Sequence, residues 1–351
     1  MRLLIITQAV DLDDPVLGFF HGWIQEFSKK CEKVSVVCLK EGRHELPSNV
    51  SVYSLGKSAQ GRPASGWERV SSRIIYITRF YRYIWTLRHE YDSVFVHMNP
   101  EYVILGWKLW WLLRKKIVLW YVHPKKSLLL SIAVFFSDTV CSVATGSVNV
   151  KSKKIHAVGH GIDVNAFNPD AQAPSRSVLF LGRLDPVKRT EIFVEALEYL
   201  QEKGVSFSAA IYGSPVIADA KYSHDLRNKM MPLTLSGALV LHDAISHAKT
   251  PEVYSSYAAY VNLTPSGSFD KTILEAMAAG RVVVAANSAL SHMLPQELHS
   301  DGTVEGTAKA IRTAVEMSED KAREIGRRNR EYVEHSHSLP LLISRLIQIL
   351  Q

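Results

Sequence analysis

Short apolar runs alternate along the chain with longer stretches in which apolar residues recur at helical spacing. A short apolar run bounded by turn residues is typical of a buried strand, and its alternation with helical patterns is typical of a parallel sheet covered by helices. In the first half the pattern predicts strands near 2–7, 34–39, 93–97, 117–122, 139–143 and 155–158. In the second half it predicts strands near 177–181, 207–212, 238–242, 259–263 and 282–285.

A polar segment that contains two prolines, 168–175, separates the two sets of strands. Such a segment between two ordered patterns is typical of a domain boundary, and 351 residues are enough for two domains with separate cores. We therefore predict an N-terminal α/β domain over 1–167 and a C-terminal one over 168–336, each with a doubly wound parallel sheet. The amphipathic pattern within 337–351 predicts a final helix.

The number of cysteines and the lengths of the apolar stretches bear on the cellular location of the protein. Cys31, Cys38 and Cys141 form an odd set without the spacing of a metal site, which favours a reducing, cytoplasmic location. Lys108 and Asp138 interrupt or end the longest apolar stretches before they reach the length of a membrane span. We expect a protein that is soluble or peripheral to a membrane, with no metal site.

Positive charge is concentrated in the first half. Residues 1–165 contain 22 Lys and Arg against 13 Asp and Glu, a net charge of +9 in a chain whose total is +7. Basic and aromatic residues mix in 79–85 and in 107–116, which suits the headgroup region of an anionic membrane. The alternative is a pair of ordinary crossover helices with buried apolar faces and solvated cations. Nucleic acid is a weaker explanation, because no RNA- or DNA-binding motif accompanies the charge.

The segment 266–280 is predicted to be a turn that feeds a helix at the carboxyl edge of the second sheet. Unpaired amides and the helix dipole favour a phosphate there, to which Lys271 adds a charge and Thr272 a hydroxyl. Glu275 lies on the same helix face as Lys271, and its carboxylate could accept the hydroxyls of a ribose. A solvated Lys–Glu pair on a crossover helix is the alternative. The turn itself contains Ser268 and Phe269, which we also assign to nucleotide binding.

A second motif follows the apolar run 178–181, where Gly182 forms a turn that carries Arg183 and Lys188. The arginine fork suits the oxygens of a diphosphate and the lysine adds a point charge, so both cations could converge on one diphosphate. Read alone, a glycine–arginine turn with nearby lysines is usually an ordinary basic loop.

These two motifs, in this order, resemble the nucleotide-binding half of the retaining glycosyltransferases of family 4, of the "glycosyl transferases group 1" type. The segments 156–167 and 209–214 extend the resemblance. It implies the GT-B fold, two Rossmann-like domains facing a cleft, with the last helix crossing back onto the first domain. It also implies a nucleoside diphosphate sugar as donor, Glu275 on the ribose, and the base held by backbone groups near Ala244. Gly18 matches the glycine of the family's first loop, and His123 resembles the histidine beside the transferred sugar, with His97 at a neighbouring strand end.

The chain departs from the family pattern at one acid. The family has two glutamates in this motif, the second at the position of Glu275 and the first where this chain has Gly267. Asp270 could supply a carboxylate to the donor sugar from the same loop, or it could only cap the helix. Because of this departure the sequence does not identify the donor sugar. The class of reaction that the resemblance implies is affected less.

The expected function is the transfer of a hexose, with retention, from a nucleoside diphosphate sugar to a hydroxyl acceptor, without a cofactor or metal. Arg183, Lys188, His123 and Asp270 are the residues expected to act at the reaction centre. A glycolipid or surface polysaccharide precursor at the inner face of a membrane is the expected acceptor, because the first domain is basic. Two alternatives stay open: a sugar-nucleotide 2-epimerase with the same fold, and a non-catalytic protein that binds glycans or nucleotides.

Overall fold

The computed structural model describes residues 1–14, 16–57, 66–123, 127–214, 220–265, 270–290 and 293–351. It divides into two compact units. The first comprises residues 1–161, 246–248 and 339–351, and the second comprises residues 162–245 and 249–338.

The strands and helices alternate through both units. The strands are β1 (Arg2–Val10), β2 (Lys33–Glu41), β3 (Val50–Ser54), β4 (Ser93–His97), β5 (Lys116–Trp120), β6 (Thr139–Ser142), β7 (Ile155–Ala157), β8 (Ser177–Leu181), β9 (Ser208–Tyr212), β10 (Leu239–His242), β11 (Ala259–Asn262) and β12 (Val282–Ala285). The helices are α1 (Phe20–Lys30), α2 (Gly66–Thr86), α3 (Pro100–Leu112), α4 (Leu128–Phe136), α5 (Thr190–Glu202), α6 (Ala220–Leu235), α7 (Thr250–Ser255), α8 (Lys271–Ala278), α9 (Val304–Val315), α10 (Glu319–His337) and α11 (Leu339–Leu350).

The first unit is built on a seven-stranded parallel sheet with the order β3-β2-β1-β4-β5-β6-β7. Leu4 and Ile6 of β1 point into a core formed with α2, α3 and α4, which contribute Phe80, Trp110 and Leu130. The opposite face is covered by α1 and α11, which pack against each other. Side chains alternate between the faces along each strand, so one strand serves both cores.

One strand of this sheet, β3, is absent from the sequence-based prediction. It is an edge strand of the described sheet, where it pairs with β2, and all five of its residues are half-buried. Its sequence, Val-Ser-Val-Tyr-Ser, lacks the continuous apolar run of the central strands, because an edge strand needs less apolar surface. A search for short apolar runs therefore misses it.

The second unit has a five-stranded parallel sheet with the order β10-β9-β8-β11-β12. Helices α5, α6 and α9 pack on one face and α7, α8 and α10 on the other. Ile162, Val164 and Phe167 are buried in the second of these cores. Residues 162–167, which the sequence-based division placed in the first domain, therefore pack with the second unit.

Each sheet has a switch point, where the direction of strand addition reverses. The strand order runs outward from β1 through β2 and on the other side through β4, and likewise from β8 through β9 and through β11. At a switch point the loops after the two central strands diverge and leave a crevice at the carboxyl edge, which is the usual ligand site of open α/β sheets. Both switch points are therefore candidate ligand sites. No helix in the described parts of the chain is long and apolar enough to cross a membrane.

Candidate functional site

A buried polar cluster occupies the switch point of the second sheet. The Asp270 carboxylate follows β11, and its Oδ2 accepts hydrogen bonds from Lys188 Nζ at 2.5 Å, Thr264 Oγ1 at 2.6 Å and Asn262 Nδ2 at 3.0 Å. Lys188 follows β8, so residues after both central strands meet here. Asn262 also lies 3.3 Å from the hydroxyl of Thr272 in the first turn of α8. The structure thus brings three of the predicted residues, Lys188, Asp270 and Thr272, into one network.

The local backbone explains why Lys188 points into this network. Asp185 begins a short 3-10 turn over 186–188, and its carboxylate accepts a hydrogen bond from the Lys188 amide at 3.2 Å. Arg189 then adopts a left-handed conformation with φ of 53°, which turns the chain into α5. A non-glycine residue in that region is uncommon and worth about 1 kcal/mol or more of strain. The turn therefore holds Lys188 in place, and the backbone strain at Arg189 is the local cost.

The Asp270 carboxyl is ionised in this environment. Its burial alone would raise its pKa, but the Lys188 ammonium and the hydrogen bonds from Lys188, Thr264 and Asn262 together hold the pKa below its usual value. The Lys188 and Asp270 side chains are 17% and 13% exposed. The cluster is thus an internally neutralised ion pair that borders solvent.

Asp270 does not have the simple capping role that the sequence offered as one alternative. It stands at the N-cap position of α8, but its side chain makes no capping hydrogen bond within the described part of the chain. Its carboxylate turns instead toward Lys188, because an ammonium attracts a carboxylate more strongly than a neutral backbone amide does. The capping interpretation of Asp270 is therefore wrong.

Lys271 and Glu275 form the expected pair one turn apart on α8, with 3.2 Å between Nζ and Oε1. The pair is not solvated, because Glu275 is only 3% exposed. Its Oε2 lies 3.4 Å from the hydroxyl of Tyr254, whose pKa is raised well above its usual value by burial and by neighbouring Tyr260 and Glu275. Burial lowers the pKa of Lys271 against the attraction of Glu275. The alternative of a solvated surface pair is wrong for the carboxylate.

Arg183 and Gly182 lie at the end of β8, beside this cluster in sequence. The Arg183 side chain is 74% exposed and its Nη2 lies 3.5 Å from Asp185 Oδ2, so in this structure Arg183 and Lys188 have different partners. The carbonyl oxygen of Gly182 lies close to the end of the neighbouring strand, β9. A Cβ on Gly213 would lie 2.1 Å from the Gly182 carbonyl oxygen, so only glycine fits at residue 213. These two glycines let the ends of β8 and β9 approach.

Ala244, expected near the nucleotide base, follows the edge strand β10 and is exposed. Its amide donates a hydrogen bond to Ser214 Oγ at 3.2 Å. Nearby, the rings of Tyr212 and His242 stack with centroids 4.1 Å apart. The predicted residues Ser268 and Phe269, together with Gly267, lie outside the described residues.

Gly18 lies in the loop after β1, at the switch point of the first sheet. A Cβ there would lie 2.8 Å from the Asp14 carbonyl oxygen, so the loop closes tightly on this glycine. The same loop is acidic, and Lys40 forms ion pairs with Asp11 at 3.0 Å and with Asp14 at 3.4 Å. Two carboxylates per lysine make this loop by itself a poor phosphate site.

The two strand-end histidines of the first unit differ. His97 ends β4, is 1% exposed, and stacks on Phe20 with centroids 4.0 Å apart, while Thr7 Oγ1 lies 3.3 Å from its Nδ1. Burial lowers the pKa of His97 to about 3, so the ring is neutral and belongs to the core. His123 is exposed and forms an isolated bridge with Val148. Of the two histidines, His123 is the exposed one.

Sequence reasoning missed three members of the site. Asn262 and Thr264 are 3% and 2% exposed and close the network around Asp270, and Tyr254 reaches Glu275 from α7. A signal for the first two was present, since polar residues at the end of an otherwise buried strand need partners. Tyr254 carries no such signal, because a tyrosine on an amphipathic helix is usually a core residue.

Comparisons with known proteins bear on both units. The family model described as "Glycosyl transferases group 1" matches residues 175–317, which include Arg183, Lys188, Asp270 and Glu275. No curated protein matches the chain.

Three solved structures illustrate the similarity over the whole chain. Anabaena HepE in complex with UDP and glucose is 16% identical, with a TM-score of 0.75, over 100% of this chain and 99% of that chain. Sucrose-phosphate synthase from Thermosynechococcus elongatus is 15% identical, with a TM-score of 0.75, over 99% and 98%. A variant of S. aureus TarM, in complex with fondaparinux, alpha-GlcNAc-glycerol and UDP, is 10% identical, with a TM-score of 0.73, over 100% of both chains. The protein therefore has the GT-B fold, and its second unit matches the group 1 glycosyl transferases over residues 175–317.

Proposed function

We propose that this protein is a retaining glycosyltransferase of family 4 that moves a hexose from a nucleoside diphosphate sugar to a hydroxyl acceptor. The observation that carries the proposal is the buried cluster of Lys188, Asp270, Thr264 and Asn262 at the switch point, within the segment that matches the group 1 model. The binding of UDP and glucose by Anabaena HepE, a protein of the same fold, supports this choice of donor class.

In the proposal the donor diphosphate lies at the beginning of α8. The first amides of that helix and its dipole favour an anion, and Lys188 lies at the same edge of the sheet. A diphosphate would compete with Asp270 for the Lys188 ammonium, and the exposed Arg183 fork would add a second, bidentate contact. Glu275 would accept the ribose hydroxyls after the Lys271 side chain moves aside, because only 3% of Glu275 is exposed in the present conformation.

The proposed chemistry depends on the negative charge that develops on the leaving diphosphate. As the sugar leaves, negative charge grows on the diphosphate, and fixed cations and amides stabilise it without a metal in this proposal. Removing one such contact should cost ~3 kcal/mol of barrier, or about a hundredfold in rate. For retention we propose a same-face substitution in which a donor phosphate oxygen takes the acceptor's proton. Asp270, in place of the missing first glutamate, and His123 are proposed to contact the sugar.

The acceptor is proposed to be a glycolipid or a surface polysaccharide precursor, and the protein to work in the cytoplasm at the inner face of a membrane. The net charge of +9 over residues 1–165 supports this location, because anionic lipids attract basic segments.

The experiment is a panel of UDP-, GDP-, ADP- and dTDP-sugars with release of the nucleotide as the readout. We expect release from one donor, and about a hundredfold less release by Arg183→Ala and by Glu275→Ala. Lys309→Ala, which removes an exposed cation on α9, is the matched control and should keep the wild-type rate. Release from none of the donors, in the presence of a broad set of acceptors, would contradict the proposal.

A non-catalytic binding protein is the second candidate, and Gly267 in place of the family's first acid favours it. It predicts that one nucleotide binds while none of its sugar donors is consumed. For an active enzyme, the anomeric configuration of the product by NMR tests retention. Conversion of the free donor without any acceptor would indicate the 2-epimerase alternative.

A further inference from the structure

The outer surface of three helices in the first unit exposes many large apolar side chains. Sixteen such side chains are exposed in the described chain, and ten of them lie on α2, α3 and α4. The ten are Ile74, Ile75, Ile77, Tyr81, Trp85, Trp111, Leu112, Leu128, Leu129 and Phe135. Scattered exposed apolar residues are normal, but a concentration of this kind marks an interaction surface.

The three helices form one layer, so their exposed side chains share one side of the unit. They pack on the same face of the first sheet through a common core. Tyr81 Oη of α2 donates a hydrogen bond to the Leu105 carbonyl of α3 at 2.8 Å. The rings of Trp107 of α3 and Phe136 of α4 stack with centroids 3.9 Å apart. We call the outer side of this layer the α2–α4 surface.

A groove of about 790 Å³ runs between α2 and α3 on this surface. Its lining mixes aromatic, aliphatic and basic side chains, among them Tyr81, Arg82, Trp85, Trp107, Lys108 and Leu112. Trp85 and Leu112 are 51% and 69% exposed. The groove is therefore lined mainly by apolar and aromatic side chains, with the exposed cations Arg82 and Lys108 among them.

The charge of the three helices is predominantly positive, with five Lys and Arg against two acids, Glu68 and Glu101. Residues 69–89 contain five arginines and no Asp or Glu, and residues 127–137 contain no charged residue. Arg82 and Lys108 are both exposed, and neither forms an ion pair with any residue in the described ranges. Arg88 lies 4.4 Å from the centroid of the Trp85 ring, so cations and rings are interleaved as well as adjacent.

We infer that the α2–α4 surface docks on an anionic phospholipid bilayer, with Arg82 and Lys108 at lipid phosphates and the groove aromatics at the boundary with the acyl chains. Aromatic rings and basic side chains beside exposed aliphatic residues are the combination that the headgroup region accepts. The transfer proposal rests on side chains of the second unit, so either inference can fail while the other holds.

Other occupants fit the surface less well. A second copy in a two-fold dimer would place the same basic surface against itself, which repels. Nucleic acid would use the arginines but would leave aliphatic residues such as Ile74, Leu112 and Leu128 uncovered. An anionic bilayer satisfies both the charge and the apolar area.

The test is flotation of the full-length protein with vesicles of phosphatidylcholine alone, or with about 30 mol% phosphatidylglycerol. We expect binding to the anionic vesicles only, weakened by raising the salt concentration. Arg82→Ala with Lys108→Ala should lower the partition coefficient about thirtyfold, the equivalent of ~2 kcal/mol for two basic residues. Trp111→Ala, at a side chain that is 73% exposed, should weaken binding at constant charge.

Matched controls separate this surface from general charge and hydrophobicity. Arg227→Ala with Lys309→Ala removes two exposed cations from the second unit, and Leu235→Ala removes an apolar side chain that is 82% exposed. Both should bind like the wild type, and nucleotide release in solution should be unchanged in every variant that keeps its circular dichroism. Equal binding to neutral and anionic vesicles, or an Arg82 and Lys108 variant that binds like its control, would overturn the inference. A dimer of the wild type in sedimentation that the Trp111→Ala variant does not form would also overturn it.

Discussion

The Lys188–Asp270 pair should be strongly coupled in a double-mutant cycle. The two charged atoms are 2.5 Å apart and the side chains are 17% and 13% exposed. At an effective dielectric constant of about 20, the gross attraction is ~7 kcal/mol, of which desolvation of both groups cancels the larger part. We expect a net coupling of about 2–3 kcal/mol between Lys188→Met and Asp270→Asn in the free energy of unfolding.

The assay must measure the stability of the second unit, because the pair lies there. All seven tryptophans lie between residues 23 and 120, so their fluorescence reports the first unit. Hydrogen exchange of peptides from α5 and α8, followed by mass spectrometry, measures the free energy of opening where the pair lies. The two single variants and the double variant then give the coupling.

An exposed pair in the same unit serves as the control. Arg312 of α9 and Glu316, which caps the end of that helix, are 57% and 44% exposed, and their coupling should be about 0.3–0.5 kcal/mol. A Lys188–Asp270 coupling no larger than this would refute the conclusion that the cluster is a buried, charge-neutralised site.

Three further predictions concern individual residues. Lys271→Met removes the ammonium that lies 3.2 Å from the Glu275 carboxylate, which is 3% exposed, so it should destabilise the second unit by ~3 kcal/mol, and adding Glu275→Gln should restore part of that loss in the same exchange measurement. Gly213→Ala should destabilise by about 2–4 kcal/mol in urea unfolding followed by circular dichroism, because its Cβ would meet the Gly182 carbonyl, whereas Gly146→Ala, with nothing within 4 Å, should be nearly neutral. The folded pKa of His97, about 3, lies below its unfolded value of about 6.5, so the unfolded chain binds the extra proton and stability falls by ~2 kcal/mol from pH 7 to 5; His97→Gln should flatten that fall, and an unchanged slope would contradict its burial as a neutral ring.

Apolar runs located the strands well where strands are buried on both faces. Strands β4, β8 and β12 begin and end at the predicted residues, because turn or polar residues bound each run. The half-buried edge strand β3 gave no such signal. The helix around Trp107 to Leu113 was ambiguous for a related reason, since a helix that is apolar all round has no readable face. The structure buries Trp110 and exposes Trp111 and Leu112.

The sequence identified individual residues of the site, but it did not show which of them contact each other. Polar residues after β8 and β11 are visible in the sequence, and parallel strands bring their carboxyl ends to one edge. That Lys188 meets Asp270, 82 positions away, depends on β8 and β11 being neighbours. Strand order follows from how the helices pack, and local patterns do not contain that information. The burial of Glu275 is likewise set by Tyr254 on another helix.

The central claim is that the switch point of the second unit binds a nucleoside diphosphate. Calorimetric titration of UDP, GDP, ADP and dTDP into the wild type, Lys188→Met and the control Lys309→Met tests it directly. The account predicts that one of these diphosphates binds, that Lys188→Met weakens its binding at least about tenfold, or ~1.4 kcal/mol, and that Lys309→Met does not. Binding that is equal in all three proteins, or no binding of any diphosphate to the wild type, would contradict it.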